Sequence, residues 1–303
     1  MSSHFLLAAG AEIPNPDAHS QSGDAVLPMC ESTVADAFLL LATSTAEDAV
    51  RRVRKLESKA DPEVLHKLRV AFRRLRSLWW AYGPLLDRKD ARFRCGEFKS
   101  LANAAGKTRD WDVLRDLLDA DPSTKHSIKP LIELVDERRT EALSFSRRTI
   151  GNAGVERVLE QACTGARTQL ESRARGLVLV EFAEDRVSVA EKALKKRVRR
   201  AASQSGSDYA ALHEVRIAGK KLRYLLEFFS PVLGGGHWAV IERLTSVQDE
   251  LGRLNDLVTS EALLREYMFQ LGEPCLVEEA IGYLQDQKGY HMGKAQEILR
   301  AQW

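Results

Sequence analysis

The sequence predicts an all-α protein, and three observations carry that reading. From about Ser32 onward, apolar residues recur at spacings of three and four, the period of a helix with one buried face. Proline and glycine fall mainly at the ends of these periodic segments. Only one short run, GLVLVEF at 176–182, has a β-like composition. An isolated strand makes no sheet, so this run is expected to be a connector or a helix start.

Taken in order, residues 1–30 hold Pro14, Pro16 and Pro28 in a Ser/Gly/Asp-rich stretch without sustained periodicity, which reads as a mobile tail. Asp61-Pro62 opens the segment 63–82, with proline at the first helical position, where its missing N–H is not needed. Gly83-Pro84 ends that helix. Gly106, Asp121-Pro122, Gly151, Gly154, Gly206, Ser230-Pro231, Gly234 to Gly236, Gly252 and Pro274 read as the later boundaries.

An internal repeat organises the chain. His66 to Arg76 (HKLRVAFRRLR) aligns without gaps on His213 to Arg223 (HEVRIAGKKLR) at an offset of 147 residues. Gly106 to Asp110 (GKTRD) matches Gly252 to Asp256 (GRLND) at an offset of 146. A basic run precedes each His segment, RRVRK at 51–55 and KKRVRR at 195–200. A long period present twice indicates a duplicated helical bundle rather than a solenoid. The expected units are the tail 1–30, a first half 31–175 and a second half 176–303.

Composition narrows the function. The chain has 303 residues, with Lys+Arg 45 against Asp+Glu 43, a net charge of +2 and 44% hydrophobic residues. That is enough apolar side chain for one large or two small cores. Mean hydropathy is −0.29, and no apolar run approaches the roughly 20 residues a spanning helix needs. Cys30, Cys95, Cys163 and Cys275 form no C-x-x-C pair, which argues against a disulfide scaffold or a cysteine zinc site and suits a reducing compartment. MSSHFLL lacks a basic n-region, so no secretory signal is read there. A cytoplasmic protein is expected.

The near-neutral total conceals segregation of sign. Val64 to Leu86 contains no acid, but holds Lys67, Arg69, Arg73, Arg74 and Arg76. Val215 to Leu226 repeats the pattern with Arg216, Lys220, Lys221 and Arg223. At about 100° per residue, His66, Arg69, Arg73 and Arg76 share one stripe about 80° wide, beside an apolar arc of Leu65, Leu68, Phe72, Leu75, Leu78 and Trp79. In the second copy His213, Arg216, Lys220 and Arg223 border Leu212, Val215, Leu222, Leu225 and Leu226. A helical charge run is ordinarily a solvated face. Recurrence of residue type and spacing argues instead for a partly buried groove whose crowded like charges face an anion or fixed carboxylates. Near a polyanion the two histidines would become cationic donors.

The paired H-x-x-R-[VI]-x-x-[RK]-[RK]-L-R motifs, each followed by G-[KR]-x-x-D, resemble the CHAD family, the conserved histidine α-helical domain. The resemblance covers roughly 31–303. It implies two four-helix bundles related by a pseudo-twofold axis, a basic central cleft or pore, binding of inorganic polyphosphate and, for some members, association with polyphosphate granules. Its ligand-binding set here is His66, Arg69, Arg73, Arg74, Arg76, His213, Arg216, Lys220, Lys221 and Arg223. Arg51, Arg54, Lys55, Lys195, Lys196 and Arg199 are expected to extend it. No E-x-E-x-K signature is present, so a standalone module without a CYTH domain is expected.

The chemistry agrees. Polyphosphate has no base to stack, so Arg forks and Lys point charges along a groove suffice. The stripes hold no aromatic residue, and Trp79, Trp80, Phe228 and Phe229 read as core. Single-stranded nucleic acid would call for interleaved aromatics and is expected to bind only non-specifically. Asp110 and Asp256 read as helix caps or as partners orienting stripe arginines. Asp112, Asp116 and Asp119 read as a solvated face, and His126, His237 and His291 as isolated. No H-E-x-x-H, Walker loop, G-x-S-x-G or carboxylate set for Mg²⁺ is present. The expectation is a non-catalytic binding module without cofactor or metal. The alternative is a phosphohydrolase or phosphotransferase using His66 or His213 as acid, base or phospho-acceptor.

Overall fold

Each apolar-periodic segment forms a helix, and no strand occurs among the described residues of the computed structural model, which are 32–58, 62–120, 129–203, 208–234 and 238–302. The tail 1–30, Asp121-Pro122, His126, Gly206, Gly235, Gly236 and His237 lie outside these. The helices are α1 (Val34–Ser58), α2 (Pro62–Ala81), α3 (Arg88–Asp119), α4 (Lys129–Asn152), α5 (Val155–Arg173), α6 (Leu179–Ser203), α7 (Tyr209–Phe229), α8 (Trp238–Tyr267) and α9 (Pro274–Gln302). A 3₁₀ turn at Gly83–Leu85 follows α2, as the Gly-Pro pair predicts. The run 176–182 is a connector and helix start: Gly176 is left-handed at φ 78, and α6 begins at Leu179. Asp87 caps α3 by accepting from the Lys89 and Asp90 amides, and Asp208 caps α7 by accepting from Ala210 N–H.

Neighbours in sequence pack as neighbours in space. α2 lies between α1 and α3, α3 against α4, α7 between α6 and α8, and α8 against α9. Three further contacts link these groups, α1 with α6, α2 with α7 and α3 with α8. α5 docks on α1. The main core joins the apolar faces read from the sequence: Leu65, Leu68, Phe72, Leu75, Leu78 and Trp79 of α2, and Leu212, Val215, Leu222, Leu225 and Leu226 of α7, are all buried. Tyr82 links them, with its ring 4.8 Å from Phe38 of α1, 4.8 Å from Phe182 of α6 and 6.3 Å from Phe229 of α7. A second core lies where the later turns of α3 and α8 meet α4 and α9, around Trp111, Leu114, Leu257, Leu264, Val277 and Leu284.

Two boundary readings are overturned. Gly106 and Gly252 sit inside α3 and α8, and neither ends a helix. Asp110 and Asp256 are therefore mid-helix residues and cap nothing. Asp112 is not solvated either: it is buried against Arg139 of α4. His291 is not isolated, since its Nδ1 lies 2.6 Å from the buried Glu250 Oε1. A helix wheel identifies a face but not the helix opposite it, and each of these pairs is tertiary.

Candidate anion-binding site

Packing of α2 on α7 sets the motif cations of both helices against one another. Arg69 Nη1 donates to Asp110 Oδ1 of α3 at 3.2 Å. This places the guanidinium over Gly106, where a Cβ would stand 3.1 Å from Arg69 Cζ. Arg73 lies one turn further on. Burial lowers its pKa most, Tyr224 of α7 opposes this, and Arg69 and Arg223 lower it further. An arginine keeps its proton against such shifts, so the field reports a crowded, charged cluster.

The second helix contributes the rest. Arg216 is depressed first by burial; Asp256 opposes this, and Arg73 and Arg69 of α2 add to the depression. Lys220 is brought down to about 6, by burial and then by Arg216, Arg73 and Arg223, with Asp256 opposing. His213 is lowered by burial and Arg216. Its Nδ1 lies 3.3 Å from Tyr209 Oη, whose hydroxyl donates to Asn255 Oδ1 of α8 at 3.3 Å. Burial lifts Asp110, Arg69 pulls it down, and nearby Asp256 lifts it again. Arg69, Arg73 and Arg216 thus gather with Lys220 around two carboxylates from α3 and α8, and Arg223 adjoins them while facing Glu227. Three guanidiniums against two acids leave a positive, half-buried site.

The remaining predicted residues lie elsewhere or have other partners. His66 is half-buried on α2. Arg74 pairs with Glu227 of α7 and lies 5.0 Å from the Phe228 ring. Arg223 also faces Glu227, at 3.5 Å. Arg76 and Lys221 share a field with Arg186 and Arg197 of α6 rather than with Arg216. Arg54 pairs with Glu156 of α5 at 3.0 Å and Arg51 with Asp48 at 4.0 Å. These two line a groove between α1 and α5 together with Lys55. Lys195, Lys196 and Arg199 are exposed on α6.

Sequence reasoning missed several participants. Tyr224 and Tyr209 put phenols beside the stripe that had read as free of aromatics. Trp80 packs at the edge of the main core, half-buried beneath Lys221 and Arg186. Among the described residues, no three His, Cys, Asp or Glu groups are placed to hold a metal ion, and no helix is long and apolar enough to cross a membrane.

A family model for the CHAD domain matches residues 40–265. A crystal structure of the CHAD domain from the plant Ricinus communis superposes with a TM-score of 0.73 at 27% identity, over 90% of this chain and 94% of that one. PptA from Streptomyces chartreusis superposes with a TM-score of 0.63 at 18% identity, over 89% of this chain and 99% of that one, a likeness of fold. No curated protein sequence matches the chain.

Proposed function

The chain belongs to the CHAD domain family, and on that premise we propose that it binds inorganic polyphosphate without transforming it, in a basic channel shared by two duplicated halves. The observation that carries this reading is the convergence of cations from the two motif helices, with Arg73 and Arg69 of α2 in the field of Arg216 and Lys220 of α7. The helix pairings support the duplication. α1 to α4 pack in the same succession as α6 to α9, and the equivalent helices α2 with α7 and α3 with α8 meet each other, as a pseudo-twofold axis requires. α5 then stands between the halves as an insertion.

The site chemistry suits a flexible polyanion. Arginine forks and a lysine match phosphate oxygens, and an anion removes the like-charge repulsion among the clustered cations. His213 is set against Tyr209 and surrounded by cations, an arrangement that suits a donor to phosphate. The expected partners are polyphosphate and, through it, granules in the cytoplasm, with nucleic acid held only non-specifically.

Titration with long-chain polyphosphate over a range of salt tests this. About six phosphate contacts imply a log–log slope of roughly −4. Changing Arg69 and Arg73 together to Glu should weaken binding and flatten the slope. Incubation with labelled polyphosphate and Mg²⁺ should leave chain length unchanged. A salt-independent affinity, a folded double variant that binds like the parent, or shortened chains would each defeat the reading.

A further inference from the structure

The motif cations outside the central cluster have a separate setting. Lys221 Nζ lies 4.1 Å from the Trp80 ring centroid, and Arg186 Cζ lies 4.9 Å from the same centroid. Arg76 and Arg197 share this field, which, after burial, lowers the pKa of Lys221. Arg186 is only 8% exposed, and its Nε makes no hydrogen bond. The nearest carboxylates stand outside the group. Asp185, 3.5 Å from Arg186 Nη1, is 67% exposed at its side chain. Glu214 lies 3.9 Å from Arg197 and is shared with Arg200 at the same distance.

The repeat shows which carboxylate this group lacks, since Asp185 and Glu214 reach it only from exposed positions. Extending the 147-residue offset aligns Arg76 with Arg223, Arg74 with Lys221 and Trp80 with Glu227. In the counterpart, the Glu227 carboxylate bonds Arg74 and faces Arg223 at 3.5 Å. On this side an indole stands where that carboxylate would be. The two motif positions thus share a carboxylate in one copy, whereas in the other Lys221 lies over an indole.

We propose that Lys221 and Arg186 over Trp80, with Arg76 and Arg197 beside Lys221, form a second anion site that takes a compact phosphate-class oxyanion such as pyrophosphate. Three arginine forks and a lysine point charge fit tetrahedral oxygens. The Trp80 ring already carries two cations, so a base or sugar finds no stacking face there. The site goes beyond the polyphosphate reading and does not depend on it, since its charges are distinct from Arg69, Arg73, Arg216 and Lys220.

Pyrophosphate titrated into the full-length chain, followed by tryptophan emission and calorimetry, tests the assignment. Binding draws Lys221 and Arg186 off the indole, so the emission should change, and Trp80→Phe should remove that change. K221Q and R186Q should each weaken pyrophosphate at least tenfold, whereas the emission response should survive in R69Q/R73Q. Trp80→Glu supplies the carboxylate present at Glu227 and should abolish binding here. K221Q removes a crowded charge and so serves if R186Q does not fold. Unaltered affinity in folded K221Q, or an emission response lost with R69Q/R73Q, would overturn the second site. Failure of long polyphosphate to bind would defeat the channel reading and leave the pyrophosphate result standing.

Discussion

Arg69 reaches Asp110 across the α2–α3 interface at 3.2 Å, and it does so over the bare Cα of Gly106. The pair is about a third exposed on each side. Its contribution to stability is accordingly small, and its role is to aim the guanidinium. On the polyphosphate reading, an incoming phosphate would compete with the Asp110 carboxylate for the same donor. Asp110 would then both position the cation and set a threshold that an anion must exceed.

Asp110→Asn should raise polyphosphate affinity. Loss of one negative charge beside the cluster is expected to strengthen binding by about threefold to tenfold, or about 0.7–1.4 kcal/mol. Calorimetry at constant salt measures it. Unchanged or weaker binding would mean that Asp110 orients Arg69 more than it competes with the ligand.

The two tight glycines should respond in opposite senses. In Gly106→Ala the new methyl meets the mobile end of Arg69, which can yield, while alanine gains about 0.5–1 kcal/mol in a helix interior. Stability should hold or rise, and long-chain affinity should fall a few-fold. In Gly219→Ala the methyl would stand 2.2 Å from Gln248 Nε2, on a side chain only 5% exposed. That variant should lose about 1–3 kcal/mol in denaturant unfolding. Equal stability changes in the two variants would contradict this account.

Glu227→Gln should destabilise the protein, because it strips the carboxylate from both Arg74 and Arg223. The partners are roughly a quarter exposed or less, so solvent screening holds the loss to about 1–2 kcal/mol. Thermal unfolding should show the loss shrinking as salt is added.

These relationships separate what the sequence reveals from what it conceals. The faces carrying Arg69 and Arg73, and Arg216 and Lys220, were legible because a 3.6-residue period sets each beside an apolar arc, and the repeat marked the two as alike. All the apolar neighbours named with them are buried. Gly106 misled, because a glycine kept for a close approach looks in sequence like one kept for a helix end. Trp80 read as core because the wheel gives no hint of Arg186, which arrives from a helix more than a hundred residues later. The pairing of Arg74 with Glu227 was hidden for the same reason. Periodicity reports burial, while partners are set by how helices meet.

Polyphosphate binding should take up protons. Lys220 sits at about 6 in the fold against 10.5 for a free lysine, held down by burial, Arg216, Arg73 and Arg223, and opposed by Asp256. Between those values the unfolded chain carries the extra proton, so this group makes stability rise with pH from about 6 to 10.5 and flat below. Lys220→Met should stabilise the protein most at pH 6 and below, with the advantage shrinking toward pH 10.5. A bound polyanion restores the ammonium, so calorimetry at pH 7.5 in buffers of different ionisation enthalpy should register proton uptake. Lys220→Met should retain only the part due to His213, which is also depressed. Affinity should weaken as pH rises above 6. Uptake of equal size in parent and variant would remove Lys220 from the site.

The duplication makes the most particular prediction. If both motif helices line one channel, a long chain engages Arg69 and Arg73 of α2 together with Arg216 and Lys220 of α7 in a single event. The second set of contacts is then intramolecular and gains from a high effective concentration. A short chain satisfies one half and gains little from the other. Neutralising His213, Arg216, Lys220 and Arg223 should therefore weaken long chains far more than short ones, by at least tenfold against less than threefold. The matching changes at His66, Arg69, Arg73 and Arg76 should act comparably on long chains. One departure is expected: Arg76 lies with Arg186 and Lys221, so restoring it alone should recover little long-chain affinity, whereas restoring Arg223 beside Arg73 should recover much. Isothermal titration with short and long polyphosphate against both sets of variants measures this. Equal losses for both lengths would mean two separate sites, and one half carrying all the affinity would mean a vestigial copy. Either result would end the shared channel.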